Sequence, residues 1–276
     1  MTTRVGIAQA AGIELPPMTF EYDDRDVMLY ALGVGATELD FVYERGLKVL
    51  PTFAVIPAFP ALLGLTAAVD INPVMILHGE QSIRLNGPIP AKGKLTTSGK
   101  VIGVYDKGKG ALAVVEAETK DESGQVLFTN TSGVFVRGAG GFGGERGPEA
   151  GNKAPDRAPD RSVEMQTLPI QAMIYRLSGD RNPLHIDPAF AKMAGYDTPI
   201  LHGLCSLGHA ARAVLREYCD NDPARLTGLD VRFSGVVFPG DTIITEIWDE
   251  GGGRVLLQAK TQRGDTVISN AAASVT

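Results

Sequence analysis

"HGLCSLGHAARAVLREYCD" (residues 202–220) sets small and apolar residues at helical spacing, namely Leu204, Leu207, Ala211, Val214, Leu215 and Tyr218, and predicts one helix. Four short runs follow it: "GLDVRFSGVVF", "TIITEIWDE", "RVLLQAKTQ" and "TVISNAAASV". Turns at Pro239-Gly240, Gly251 to Gly253 and Gly264-Asp265 separate them, which predicts an antiparallel meander. A helix lying against a curved antiparallel sheet buries the apolar faces of both, an α+β arrangement.

Upstream, residues 137–161 read "RGAGGFGGERGPEAGNKAPDRAPDR". Rich in Gly and Pro and poor in apolar side chains, the segment predicts a linker. It separates an expected first domain (1–136) from a second (162–276). The halves echo one another in order. "MLYALGVG" (28–35) matches "MIYRLSGD" (173–180), and "ILHGEQS" (76–82) matches "ILHGLCS" (200–206). "SIRLNGPIPAKGKL" (82–95) matches "DVRFSGVVFPGDTI" (230–243), with Arg84 on Arg232, and "DESGQVLFTN" (121–130) matches "TQRGDTVISN" (261–270). The chain therefore reads as a duplicated domain. The first half carries its strands as "SIRLNGPI", "LTTSGKVIGVYD", "ALAVVEAETKD" and "VLFTNTSGVFVRG". In place of a clear helix it has "VLPTFAVIPAFPALLGLTAAVD", whose prolines at 51, 57 and 60 are expected to kink or interrupt a helix and open room for a substrate tail.

Composition narrows the function. The 276 residues are 44% hydrophobic and 21% charged, as in a globular protein. The net charge is −6 and no Lys/Arg stripe forms, so nucleic acid is not an expected partner. The first 20 residues, interrupted by Glu14, Pro16 and Pro17, do not read as a signal peptide. No charge-free apolar run is expected to approach the ~20 residues of a membrane helix. Cys205 and Cys219 on one helix would lie roughly 21 Å apart, beyond disulfide reach. Reduced cysteines fit a cytoplasmic protein, in which the sequon at Asn130 carries no meaning.

Two glycine motifs are set aside. "GVYDKGK" (103–109) is followed by Gly110 where a phosphate-binding loop needs Ser or Thr, and it lies between strands. "GVGATE" (33–38) lacks the third glycine of a dinucleotide fingerprint. His209 is expected as a partly buried or surface helix residue. A metal drawn from His185, Asp187 and His202 matches no ligand signature, so neither metal nor cofactor is expected.

The polar stretch "YRLSGDRNPLHIDP" (175–188) has a bland reading: Asp180 and Asn182 make an Asx turn, and Asp187 caps the helix "PAFAKMAG". That leaves Asp180 and His185 unexplained. A tight turn could aim this acid and this imidazole at one small molecule. Their counterparts in the first half are Gly35 and Asp40, so the pair exists once, as a single active site in a double domain would show.

The segment "YRLSGDRNPLHIDPAFAKMAGYDTPILHG" resembles the hydratase-2 motif of the MaoC-like (R)-specific 2-enoyl-CoA hydratases. The likeness runs through "YALGVGA", "LPTFAVI", "LHGEQ" and "GGFGGERG", and is similar to the hydratase-2 domain of peroxisomal multifunctional enzyme type 2. The resemblance implies a double hot-dog fold with one active site, and hydration of trans-2-enoyl-CoA to (3R)-3-hydroxyacyl-CoA. It implies catalytic roles for Asp180 and His185, which would hold the water, for Asn182, which would orient it, and for Gly203, whose backbone N–H would stabilise charge on the thioester oxygen. Ligand contacts are implied for His78, Gly79, Lys107, Tyr175 and Phe233. Glu44 stands where the family has a glutamate implicated in activity, an exposed or structural role being the alternative. The same residues run in reverse would make an acyl-carrier-protein dehydratase, and a non-catalytic acyl-CoA binding protein is the third reading. Family habit suggests a homodimer, and the tail "NAAASVT" is not a peroxisomal Ser-Lys-Leu signal.

Overall fold

The computed structural model describes residues 4–149 and 151–276. Residues 1–3 of the expected first domain and residue 150 of the expected linker lie outside the described residues. The first half runs β1 (Glu14–Tyr22), α1 (Asp24–Gly33), α2 (Leu39–Val42), α3 (Val55–Ala68), β2 (Ile76–Leu85), β3 (Gly93–Asp106), β4 (Gly110–Lys120) and β5 (Val126–Arg137). The second repeats the order as β6 (Arg161–Gln166), α4 (Gln171–Tyr175), α5 (Pro188–Met193), α6 (Gly203–Tyr218), β7 (Leu226–Phe233), β8 (Thr242–Gly251), β9 (Arg254–Thr261) and β10 (Thr266–Val275). Sequence patterning does not predict β1, β6, α1, α2 or α4. Pro16 and Pro17 masked β1, yet it is an edge strand with a bulge between Leu15 and Met18, where prolines are tolerated. A capping box at α1 was legible: Asp23 accepts from the Arg25 and Asp26 N–H groups, and Asp26 accepts from the Asp23 N–H in return.

All ten strands join one antiparallel sheet in the order β1-β3-β4-β5-β2-β7-β10-β9-β8-β6. Read from the β2–β7 seam outward, the two sides are the same five-strand pattern, which is the double hot dog. Glu80 faces Arg232 and Ile83 faces Leu229 across the seam. Arg84 forks onto the Asp230 carboxylate at 2.7 and 2.8 Å, while Arg232 meets Glu80 at 3.1 Å. The arginines matched by the repeat thus make reciprocal ion pairs between the halves. Being half-exposed, each pair contributes little energy and chiefly fixes register.

Three of the four sequence matches fall on equivalent elements. The fourth does not: "ILHGEQS" lies inside β2, whereas "ILHGLCS" leads into α6, so His78 and His202 are not structural counterparts.

Each half wraps its sheet around one long helix. α6 buries eleven of its sixteen residues, more than the single face expected, among them His209 at 1% exposure. The expectation of a surface or partly buried His209 is corrected: its neighbours include Gly35 of the first half, which the local pattern could not show. In the first half, a 3-10 turn (Pro51–Ala54) runs directly into α3. The expected interruption is therefore confined to the start. Pro51 and Pro57 lie in opening turns where an N–H has no intrahelical partner, and Pro60 alone sits inside. Residues 49–69 carry no charged side chain, and Pro51–Ala68 is long and apolar enough to span a bilayer by length and composition. This corrects the expectation that no such run exists. Its buried residues, including Val55, Ala58, Ala61 and Leu65, pack against the first-half sheet.

Candidate active site

The loop from Gly179 to Asp187 is held by its own polar side chains. Gly179 takes φ +136°, which favours glycine. Asp180 Oδ1 accepts the Asn182 N–H (3.1 Å), and Asn182 Oδ1 accepts the Leu184 N–H (3.0 Å), opening a 3-10 turn over Pro183–His185. Asp187 caps α5 through the Ala189 N–H (2.8 Å). The bland reading is therefore true of Asp180, Asn182 and Asp187, with one carboxylate oxygen of Asp180 and the side-chain oxygen of Asn182 engaged in the turn.

His185 retains 9% of its surface and donates from Nδ1–H to the Ile200 carbonyl at 2.9 Å. A carbonyl can only accept, so Nε2 carries the lone pair. Burial pulls the His185 pKa down, opposed by the Asp180 charge and the bond to Ile200, which keeps the ring a neutral base. His202, the residue before α6, donates from Nε2–H to the Asp180 backbone carbonyl at 3.1 Å. Its ring stacks on His185, centroids 3.7 Å apart and planes 29° apart, with Tyr175 on its other neighbour contact at 4.8 Å. Burial first, then repulsion from a protonated His185 and from the Arg176 charge, push its pKa down to about 2, against the bond to Asp180. Ligating atoms of Asp180, His185 and His202 all lie within 4.8 Å of one another. Stacked imidazoles send their in-plane lone pairs along nearly parallel planes, so the cluster suits proton transfer better than a shared ion. Asp187 lies outside this cluster and is the α5 cap.

Gly203 opens α6, and its N–H has no protein acceptor among the described residues. It stands at the positive end of a sixteen-residue helix. A Cβ here would lie 3.2 Å from the Phe233 ring. Phe233 meets the edge of His78 at 5.3 Å, so Gly203, Phe233 and His78 form one wall. His78 Nε2–H donates to Gln81 Oε1 (3.0 Å), and burial pushes its pKa down to about 4. Gly79 sits at the irregularity between His78 and Glu80 where β2 steps past β5. Beyond Leu204 lies a narrow apolar slot under α3, lined by Val55, Ala58, Phe59, Leu62 and Val115, with Gln81, Asn130 and Ser132 on its floor.

The remaining expected residues lie farther out. Tyr175 is 1% exposed and packs between Tyr30 and His202, so it supports the cluster from the core. Lys107, in the β3–β4 turn, donates to the Arg146 carbonyl, and that turn lies at the end of the sheet where β2 begins. Glu44 is exposed in the bend after α2, with no ion pair or hydrogen bond to the cluster among the described residues. Sequence reasoning left His202 without a role. The available signal was its place directly before Gly203 at a helix start.

A probable enoyl-CoA hydratase 2 from Dictyostelium discoideum is 42% identical to this chain, the match covering 98% of the chain and 97% of that protein. The chain belongs to the MaoC-like hydratase 2 family. In this family member, residues 20–138 match the MFE-2 hydratase 2 N-terminal domain and residues 150–271 the MaoC-like domain. A peroxisomal multifunctional enzyme type 2 from Drosophila melanogaster is 42% identical over 91% of the chain and 45% of its own length. The crystal structure of a MaoC-like dehydratase from Phytophthora capsici superposes on the hydratase 2 chain with TM-score 0.90 at 39% identity, covering 99% of this chain and 98% of that one.

Proposed function

We propose that this hydratase 2 family member adds water reversibly across the double bond of trans-2-enoyl-CoA to give (3R)-3-hydroxyacyl-CoA. The observation carrying this is one acid and one unprotonated imidazole nitrogen, Asp180 and His185, converging on His202, the residue before Gly203, whose N–H has no acceptor among the described residues. Water held between the carboxylate and His185 Nε2 loses a proton to one of them as its oxygen attacks C3. Charge moves onto the thioester oxygen, to which the Gly203 N–H donates a hydrogen bond worth about 3 kcal/mol in the transition state. The protonated group then returns a proton to C2, so that OH and H are added and nothing else is consumed. Asn182 holds the turn through Oδ1, which leaves its Nδ2 amide to orient the water. His78, Gly79 and Phe233 form the wall for the thioester, and Lys107 offers a cation to a CoA phosphate.

The test is the loss of enoyl-thioester absorbance with short and long trans-2-enoyl-CoA, and configuration of the product read by a (3R)-specific dehydrogenase. Turnover to the (3R) alcohol, lost by at least about 100-fold in Asp180→Asn and His185→Gln at unchanged unfolding temperature, supports the reading. Turnover surviving both substitutions, or absent from the wild type, sinks it. We also propose a homodimer, which light scattering on the eluting protein tests by mass.

A further inference from the structure

His202 makes three contacts that no other side chain of the site combines. Its Nε2–H holds the Asp180 carbonyl at 3.1 Å, its ring covers the face of His185 at 3.7 Å, and its backbone is the last residue before the first turn of α6. It is 1% exposed and backed by the Tyr175 ring, so it has little freedom to shift. We propose that His202 is a positioning residue for hydration, tying the Asp180 turn and the His185 ring to the start of α6 and so fixing both proton-carrying groups relative to the Gly203 N–H.

This rests on the hydration reading above. Its physical content is a division of labour within one side chain. The donor nitrogen holds Asp180, because without it the Asp180 carbonyl is left without that bond in a half-buried turn. The ring holds His185, because the imidazole otherwise has a free face into which it can tilt, and misplacement of a proton-transfer group by a fraction of an ångström is costly. His202 does not itself exchange a proton with substrate. Its Nδ1 is buried with no partner among the described residues, and the groups around it are Tyr175, Arg176, Asp180 and His185.

Two substitutions separate the functions. His202→Phe keeps a ring of similar shape and removes the donor; His202→Gln keeps a donor at similar reach and removes the ring. His202→Phe is expected to lower kcat by about tenfold or more with KM changed less than about threefold. His202→Gln, which frees the His185 face, is also expected to lower kcat by about tenfold or more at similar KM, and His202→Ala, which loses both functions, to fall below either. Wild-type kcat in the folded Phe or the folded Gln variant, or an Ala variant no worse than both, overturns the proposal. If neither variant folds, nitrogen-15 NMR of the wild-type histidines decides instead. A neutral His202 protonated at Nε2 across pH 5–8 supports it, and an Nδ1–H tautomer or an imidazolium at pH 6 overturns it. Absence of wild-type turnover on any enoyl-CoA would strike the hydration reading alone, since the tautomer is read without substrate.

Discussion

Gly35 presses against His209: a Cβ on this glycine would lie 2.8 Å from His209 Nε2. The glycine aligns with Asp180 in the repeat, so the room for an acid in the first half is taken by a histidine from the helix of the second. The surrounding segment is clamped to two helices of the second half, α4 through Gln171 and α6 through Arg212. Gln171 Nε2 donates to the Leu32 and Gly33 carbonyls at 2.9 and 2.7 Å, and Arg212 reaches the Val34 carbonyl at 3.2 Å and Glu38 at 3.0 Å. In the first half, the position that matches Asp180 is thus part of the interface between the halves.

Restoring the acid should therefore not restore a site. Gly35 has φ +75°, so Gly35→Asp combines left-handed strain with overpacking and is expected to cost about 2 to 4 kcal/mol. Urea unfolding measures the loss, and active-site activity per folded molecule should not rise. A stable variant with doubled turnover would contradict this account of the degenerate half.

Gly203 is bare because Phe233 lies over it. Gly203→Ala leaves the N–H in place yet puts a methyl group 3.2 Å from the ring, so the helix start or the wall must move. The expected result is a drop in kcat/KM of about tenfold, partly reversed by adding Phe233→Leu, with a coupling of about 1 kcal/mol in the double-mutant cycle. Strict additivity would show that the contact is not what selects glycine.

Asn130 ties the floor of the slot to the segment leading into α3. At 1% exposure it donates to the Ala54 carbonyl at 3.0 Å and accepts from Gln81 Nε2 at 2.8 Å, while Ser132 donates to Gln81 Oε1 at 2.8 Å. Asn130→Ala strands two buried partners and is expected to destabilise the protein by about 2 to 4 kcal/mol in urea melts. A change below about 0.5 kcal/mol would mean that the floor rearranges freely.

Acid should unfold this protein through its buried histidines. Burial depresses His209 to about 4 and His202 to about 2, against about 6.5 in the unfolded chain. The native state then binds fewer protons than the unfolded state, so the stability is complete above pH 6.5 and lost as pH falls. Each group contributes a slope of up to about 1.4 kcal/mol per pH unit below that point, to about pH 4 for His209 and lower for His202. The unfolding free energy is expected to stay level from pH 7 to 8, to fall below 6.5, and to fall less steeply in His209→Gln. An identical slope in that variant would remove His209 from the account.

The sequence by itself determined the duplication, the helix-then-meander order and the Asp180–His185 turn, because helical periodicity, turn glycines and Asx chemistry act over a few residues. It also contained α1, in the capping box of Asp23 and Asp26. Tertiary structure alone decided the rest. Whether Pro16 and Pro17 could lie in a strand depended on that strand being at the edge of the sheet. Whether Pro51 and Pro57 broke a helix depended on where its first turn fell. The stack of His202 on His185, the Phe233 roof over Gly203 and the burial of His209 under Gly35 join residues far apart in the chain, and such contacts exist only once the ten strands close around the two helices. The sequence supplied the reactive groups, and packing between the halves set how many sites they could form.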